Sequence, residues 1–322
     1  MDKQEPLLSV RELSIAFKLR NTQLTAVDRV SFDLDRGQRL GIVGESGAGK
    51  SVTGFGILNL VSKPGYISGG SIYFEGKDLA KITKEEMRKL RGNRISMIFQ
   101  DPMMTLNPVL TIGQQMVETL QAHRTISRAD AEQISLDKLQ KVAIPSPEKR
   151  LQQYPHEFSG GMRQRIVIAI ALLTSPALII ADEPTTALDV TIQADIMELL
   201  LQLCKAESLA LILITHDLAV VSQVAERIAV MYAGRIVELG STEEIVNRPQ
   251  HPYTTGLLKA LPQNVDRRDR LNQIPGSMPN IKDRAAGCPF YNRCELRQKI
   301  CKTKKIKLEE KGGSFVACHM VK

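Results

Sequence analysis

Apolar and polar residues alternate along 7–17 (LLSVRELSIAF) and 26–34 (AVDRVSFDL). That is the period of a strand with one wetted face, so both segments are expected in an antiparallel β layer. RLGIVG, Arg39 to Gly44, is apolar without alternation and predicts a buried strand, as do ALIIADEP (177–184) and LALILITHD (209–217). SGGSIYFEG predicts a turn and strand, and RISMIFQD, Arg94 to Asp101, a strand that ends in Gln100. Helical spacing appears over Ser51–Val61, after the prolines of 101–116, twice within 117–143 with Ser127 as an N-cap, and from FSGGMRQR to Leu173. Pro145 and Pro147 mark a loop, and a long helix follows TTALD. RIAVMYAGRIVELG reads as a hairpin turning at Ala233-Gly234, and STEEIVNR as a capped helix. The class is α/β, with roughly 92–175 as a helical insertion into the core and a domain boundary near 250.

Composition narrows this modestly. The 322 residues are 43% hydrophobic and 24% charged, ordinary for a globular chain. The start, MDKQEP, is polar and predicts no secretory leader. The longest apolar stretch, Ile166 to Ala181, is broken by Thr174-Ser175-Pro176, short of the ~20 residues a membrane span needs. Net charge is +8, concentrated in a tail where Arg297, Lys299, Lys302, Lys304, Lys305, Lys307 and Lys311 outnumber Glu295, Glu309 and Glu310. A solvated face is the expected reading, and the lack of interleaved aromatics argues against nucleic acid.

The chemistry centres on GESGAGKS, which fills every fixed position of G-x-x-x-x-G-K-[ST] between a strand and a helix. Gly44, Glu45, Ser46, Gly47, Ala48 and Gly49 form a loop whose amides can turn toward a polyphosphate, and Val52 lies in the helix whose positive end faces the same anion. Lys50 is expected at the β and γ phosphates and Ser51 on Mg²⁺. Asp182 and Glu183 close an apolar strand: Asp182 is a candidate for Mg²⁺ through its water shell, and Glu183 for orienting or deprotonating water. Gln100 and His216 end two other strands and are expected at the same sheet edge, His216 at the γ-phosphate. Ser159 caps a helix whose Gly160 and Gly161 leave amides open to an anion. Phe17, upstream of the loop, is a candidate either for stacking on adenine or for the core.

GESGAGKS, Gln100, FSGGM, LIIAD with Glu183, TALD and His216, in that order and spacing, resemble the nucleotide-binding subunit of ATP-binding-cassette (ABC) transporters over about 7–250. QDPMMTLNP, FSGGMRQR, ADEPTTALDVTIQAD, HPYTTGLLKALP and IPGSMP further resemble the ATPase subunits of bacterial oligopeptide, dipeptide and nickel importers. The resemblance implies a P-loop ABC domain with a RecA-like core, an antiparallel β layer and an α-helical subdomain, followed over 251–322 by a small cysteine-containing extension. It implies two such subunits packed head to tail, with a sibling ATPase as the partner. Ser159 and Gly161 would then close on ATP held by the other copy. Gln100 would touch Mg²⁺ and the attacking water and link to the membrane subunits, with Glu183 as general base, His216 as γ-phosphate sensor, Asp189 in the dimer seam and Phe17 on adenine. Met162 and Phe158 depart from the family's commoner Gln and Leu, while the donor Ser and Gly remain. Two transmembrane permease subunits and an extracytoplasmic substrate-binding protein complete the implied importer, with this chain peripheral on the cytoplasmic face of the membrane.

Cys204 lies in a helical pattern and reads as core, whereas Cys288, Cys294, Cys301 and Cys318 crowd the tail. Without an export signal a metal site outweighs disulfides. The spacing alone leaves an iron–sulphur cluster, a zinc site and free thiols open; the subfamily resemblance implies a [4Fe–4S] cluster with a structural role. Peptide import is the function the resemblance implies, with import of nickel or a metallophore as the alternative. A soluble ABC ATPase of DNA repair or ribosomes, and a non-hydrolysing scaffold or redox-sensing subunit, are the other classes. One cassette without heptads argues against the former, and intact Lys50, Asp182, Glu183 and His216 against the scaffold.

Overall fold

The structure is a computed structural model and describes residues 5–20, 22–186, 188–261, 273–284 and 286–321. Ala187 of the T-A-L-D segment and residues 262–272 of the expected extension lie outside the described residues. In chain order the described strands are β1 (Leu8–Lys18), β2 (Gln23–Leu34), β3 (Arg39–Val43), β4 (Gly65–Phe74), β5 (Lys77–Asp78), β6 (Ile95–Ile98), β7 (Leu178–Asp182), β8 (Ala210–Thr215), β9 (Arg227–Tyr232), β10 (Arg235–Ser241), β11 (Glu309–Lys311) and β12 (Ser314–Val316).

The chain divides into two compact units. One draws on Met1–Asp35, Arg39–Lys81 and Leu213–Lys322, the other on Arg36–Gln38 and Ile82–Ile212. In the first unit, β2-β1-β4-β5 form an antiparallel sheet. The strict alternation expected of β1 breaks at Glu12, whose φ of 46° accompanies a register shift between Val10 and Leu13. The bulge returns Leu13 and Ile15 to the buried face with Val10. The same unit holds β11-β12-β10-β9-β3 as one hydrogen-bonded run. Strand β3 is parallel to β9, Leu40 opposite Arg227, and the hairpin β9–β10 turns at Ala233-Gly234 as expected.

The second unit holds β6 and β7, parallel with Ile95 opposite Leu178, and the start of β8, through which the unit boundary passes. Every residue of β7 is buried, which explains its unbroken apolar run. Its helices include Ile112–Gln121, Arg128–Lys141, Gly160–Ala171 and Val190–Glu207. Ser127 caps the second of these, its side chain accepting from the Asp130 amide, and Ser159 caps the third. Cys204 is buried, as its helical setting suggested.

Several elements escape the sequence pattern. The helix after the glycine loop covers only Lys50–Ile57, because Asn59 turns the chain at a φ of 50°. Lys84–Leu90 is a helix announced only by a Thr83–Glu86 capping box. Pro147–Arg150 is a short helix within the expected loop. In the tail, Gly312 and Gly313 allow a hairpin whose β12 pairs with β10, Leu239 opposite Phe315. No helix among the described residues is long and apolar enough to cross a membrane.

Candidate functional site

In the first unit, β3 runs straight into the glycine loop. A Cβ at Gly44 would stand 2.1 Å from the Met231 carbonyl oxygen, and at Gly49, where φ is 98°, 3.0 Å from that of Ala26. No other residue fits either place without moving main chain. The loop is tied from several sides. The Gly234 amide donates to the Ala48 carbonyl at 2.8 Å, and the Glu45 amide to the Tyr253 hydroxyl at 2.9 Å. Lys50 is buried, its Nζ donating to the carbonyls of Gly44 (2.8 Å) and Glu45 (3.2 Å), so its charge is folded over the loop itself. Ser46 and Gly47 are exposed; Ser51 and Val52 are half-buried in the first turn of the helix. The amides of a helix start thus meet a buried cation at one loop, an arrangement suited to a polyphosphate.

Phe17 in the same unit lies near the end of β1, half-buried, between Leu24 of β2 and Gly65 of β4. His216 is exposed immediately after β8, and Asp217 beside it caps the helix Leu218–Val224 by accepting from the Ala219 and Val220 amides.

The second unit brings Gln100 and Glu183 together. Ile98 of β6 is paired with Ala181 of β7, and each of the two side chains stands two residues further along the chain, just past the end of its strand. Gln100 Nε2 donates to Glu183 Oε2 at 3.0 Å, and Thr186 Oγ1 donates to the same oxygen at 2.9 Å. Glu183 adopts a left-handed φ of 45°, a costly backbone for a non-glycine residue. Asp182, the last residue of β7, is buried. A carboxylate held on strained backbone by two donors is an oriented acceptor for a proton.

Ser159 and Gly160 are exposed at their helix start, while Gly161 backs onto Ile192, 2.8 Å from where its Cβ would be. The Ser159 hydroxyl accepts from the Met162 amide at 3.4 Å. Asp189 and Val190 are exposed at the start of the long helix, and the Asp189 carboxylate makes no cap hydrogen bond to it. Phe158 is buried, with the Arg150 guanidinium over its ring.

Cys288, Cys294, Cys301 and Cys318 are all buried and none is in a disulfide, and the Cys288 amide donates to the Cys301 carbonyl at 2.8 Å. Burial, reinforced by the other three cysteines, pushes the Cys288 thiol up to about 12. Burial also raises Cys294, with Cys318 and Cys301 adding to it. Among the described residues no group of three or more His, Cys, Asp or Glu is disposed to hold a metal ion. Arg297, Lys299, Lys302, Lys304, Lys305 and Lys307 are exposed, whereas Lys311 is half-buried and donates to the Cys318 and Val321 carbonyls.

Three partners escaped the sequence pattern: Thr186, Tyr253 and Arg293, which pairs with Glu45. The threonine pair after D-E-P and the H-P-Y triplet were visible as letters; nothing in the spacing tied Arg293 to a loop 248 positions away.

Comparison with known proteins gives the family. Residues 27–186 match the ABC transporter family, and 237–301 match the oligopeptide/dipeptide transporter C-terminal region. The chain is 48% identical to the dipeptide transport ATP-binding protein DppD of Haemophilus influenzae, over 97% of this chain and 95% of that protein. It is 51% identical to the oligopeptide transport ATP-binding protein OppD of Bacillus subtilis, over 91% and 83% respectively. Among solved structures, a dimeric ATP-binding cassette in a post-hydrolysis state with ADP and Pi matches with a TM-score of 0.65 at 26% identity, covering 73% of this chain and 98% of that one. The chain belongs to the ABC transporter family, with the P-loop nucleotide-binding fold, as an ATPase of its oligopeptide/dipeptide branch.

Proposed function

We propose that this chain hydrolyses ATP to power uptake of dipeptides or oligopeptides by a membrane importer. The observation that carries the reading is the doubly held Glu183 carboxylate at the end of β7, in a chain whose glycine loop already has the backbone a polyphosphate requires. Lys50 takes the β and γ phosphates, and Ser51, Gln100 and Asp182 are the residues that would hold Mg²⁺. Glu183 accepts the proton of the attacking water and His216 senses the γ-phosphate. The exposed Ser159 and Gly160, with Gly161, suit a cap lent to the nucleotide of a second subunit, and exposed Asp189 suits a seam. Half-exposed Phe17 suits stacking on adenine. Closure over ATP and release after hydrolysis then move the permease subunits.

The finer organisation is a RecA-like core with an antiparallel layer, an ABC ATPase domain over 7–250 with its helical subdomain near 92–175, and an extension over 251–322. The partner is a sibling ATPase, beside two permease subunits and, indirectly, an extracytoplasmic substrate-binding protein, on the cytoplasmic face of the membrane. The four buried tail thiols would hold a [4Fe–4S] cluster. A single zinc at ~2.3 Å from each sulphur would need the four drawn tightly around one point. Zinc ribbons mostly use closer Cys pairs than these, and four thiolates are the usual ligands of an iron–sulphur cluster. Such a cluster would supply a structural staple.

Glu183→Gln tests the core of the reading. It should slow steady-state hydrolysis by ~10² or more while ATP still binds. Near wild-type turnover would remove Glu183 from its role. For the thiols, anaerobically purified protein should be brown and contain iron; a colourless, iron-free preparation counts against the cluster.

A further inference from the structure

Glu45 places a carboxylate inside the loop expected to receive the most highly charged part of ATP. Left alone, it would repel that anion. The structure shows what meets it. Arg293, which directly precedes Cys294, sends Nη1 to both Glu45 carboxylate oxygens, at 2.9 Å each. The Arg293 side chain is 7% exposed, and the other guanidinium nitrogens are fixed by the tail: Nε donates to the Pro275 carbonyl at 3.0 Å and Nη2 to that of Ile274 at 3.1 Å. Its carbon lies 5.8 Å from the centre of the Tyr232 ring and 6.0 Å from that of Phe290. Tyr232 meets Tyr253 and Phe290 edge to face, and those two rings are tilted against each other. Tyr253 in turn accepts the Glu45 amide. Met278, from the Ile-Pro-Gly-Ser-Met-Pro stretch, brings its Cε to 3.2 Å from where a Gly47 Cβ would be. Side chain, main chain and outer surface of the loop are each met by the C-terminal part of the chain.

We propose that Arg293 is a positioning residue for ATP binding. It neutralises Glu45 and holds it turned away, so the tail that presents Arg293 sets the charge and shape of the phosphate loop. The proposal rests on the reading of the chain as an ATPase and names a determinant of its nucleotide affinity. A cation that is planar, always charged and anchored at its remaining nitrogens does this better than a flexible lysine. A purely structural strut would make a different prediction from a charge shield, which permits a decisive test.

The experiment measures equilibrium binding of MgATP and initial hydrolysis rates across ATP concentrations for the full chain. The variants are Arg293→Gln, Arg293→Lys and Arg293→Gln combined with Glu45→Gln. Arg293→Gln should raise Kd and KM for ATP ~10-fold, leaving kcat within ~2-fold, with the loss shrinking as salt screens the exposed carboxylate. Removing the carboxylate as well should recover most of the lost affinity. Arg293→Lys, which keeps the charge, should lose ~3-fold or less. If Arg293→Gln proves too unstable to purify, the lysine variant decides: a loss of 10-fold or more there overturns the proposal. So does a double variant no tighter than Arg293→Gln alone, or unchanged affinity in Arg293→Gln. A wild-type chain that binds no nucleotide overturns the ATPase reading and this proposal with it.

Discussion

Glu183 shows how little of a site its residue types alone reveal. Its letter and its place after an apolar strand were legible, because a buried strand closing on two acids has few other uses. Its restraint was not: the φ of 45° and the two donors on one oxygen come from chain geometry beyond β7. Thr186 is the donor that can be removed most cleanly, since valine keeps its shape. Thr186→Val should lower kcat ~10-fold, as befits one hydrogen bond to a charged acceptor. The ATP Kd should stay within ~2-fold, because the threonine hydroxyl is engaged with the Glu183 carboxylate. An equal fall in affinity, measured by equilibrium ATP binding, would show that Thr186 does more than orient Glu183.

At the scale of elements, the hairpin β9–β10 does more than reverse the chain. Ala233 and Gly234 have φ values of 47° and 84°, the pair of left-handed residues a tight two-residue turn demands. The Gly234 amide reaches Ala48 in the glycine loop, and its carbonyl accepts from the Asp28 amide, so the turn wedges between the loop and β2. A Cβ at Gly234 would fall 2.3 Å from the Ala26 carbonyl oxygen and 2.6 Å from Arg284 Nη1. Gly234→Ala should therefore cost ~3 kcal/mol or more of stability, the upper range for overpacking, and weaken ATP binding with it. Urea unfolding with and without MgATP separates the two effects. The sequence announced this turn through its Ala-Gly between apolar runs, as it announced the caps at Ser127 and Ser159. Elements such as β11 and β12 stayed hidden. Three-residue strands carry no period, and they exist because β10 offers an edge with Glu238 opposite Val316. Thr83–Glu86 was a legible signal that the short apolar content of Lys84–Leu90 masked.

Across the whole chain, one unit collects stretches from both ends of the sequence, so the glycine loop and the C-terminal tail fold within the same body. His251 sits where those stretches meet. It is 1% exposed, caps the helix Pro252–Lys259 by accepting the Tyr253 amide at Nδ1, and passes its own amide to Glu238 Oε2 at 3.0 Å. Burial drives its imidazole down from 6.5 to about 3. Between those values the unfolded chain takes a proton that the folded one refuses. Stability from this residue is therefore complete above ~6.5 and is lost as pH falls, at ~1.4 kcal/mol per pH unit. Glu238 runs the other way. Burial raises its carboxyl, opposed by the Gln250 and His251 amides and the Ser314 hydroxyl, so its contribution is present at low pH and lost as pH rises through the folded value. Wild-type protein reports the sum, and His251→Asn isolates the histidine, because Asn Oδ1 can accept the Tyr253 amide without titrating. Urea unfolding at half-unit steps from pH 7.5 down to about 4 should show wild type losing ~1.4 kcal/mol per unit relative to His251→Asn once below ~6.5. Parallel curves for the two proteins would mean that His251 gains its proton in the native state, and that water reaches the junction between loop and tail.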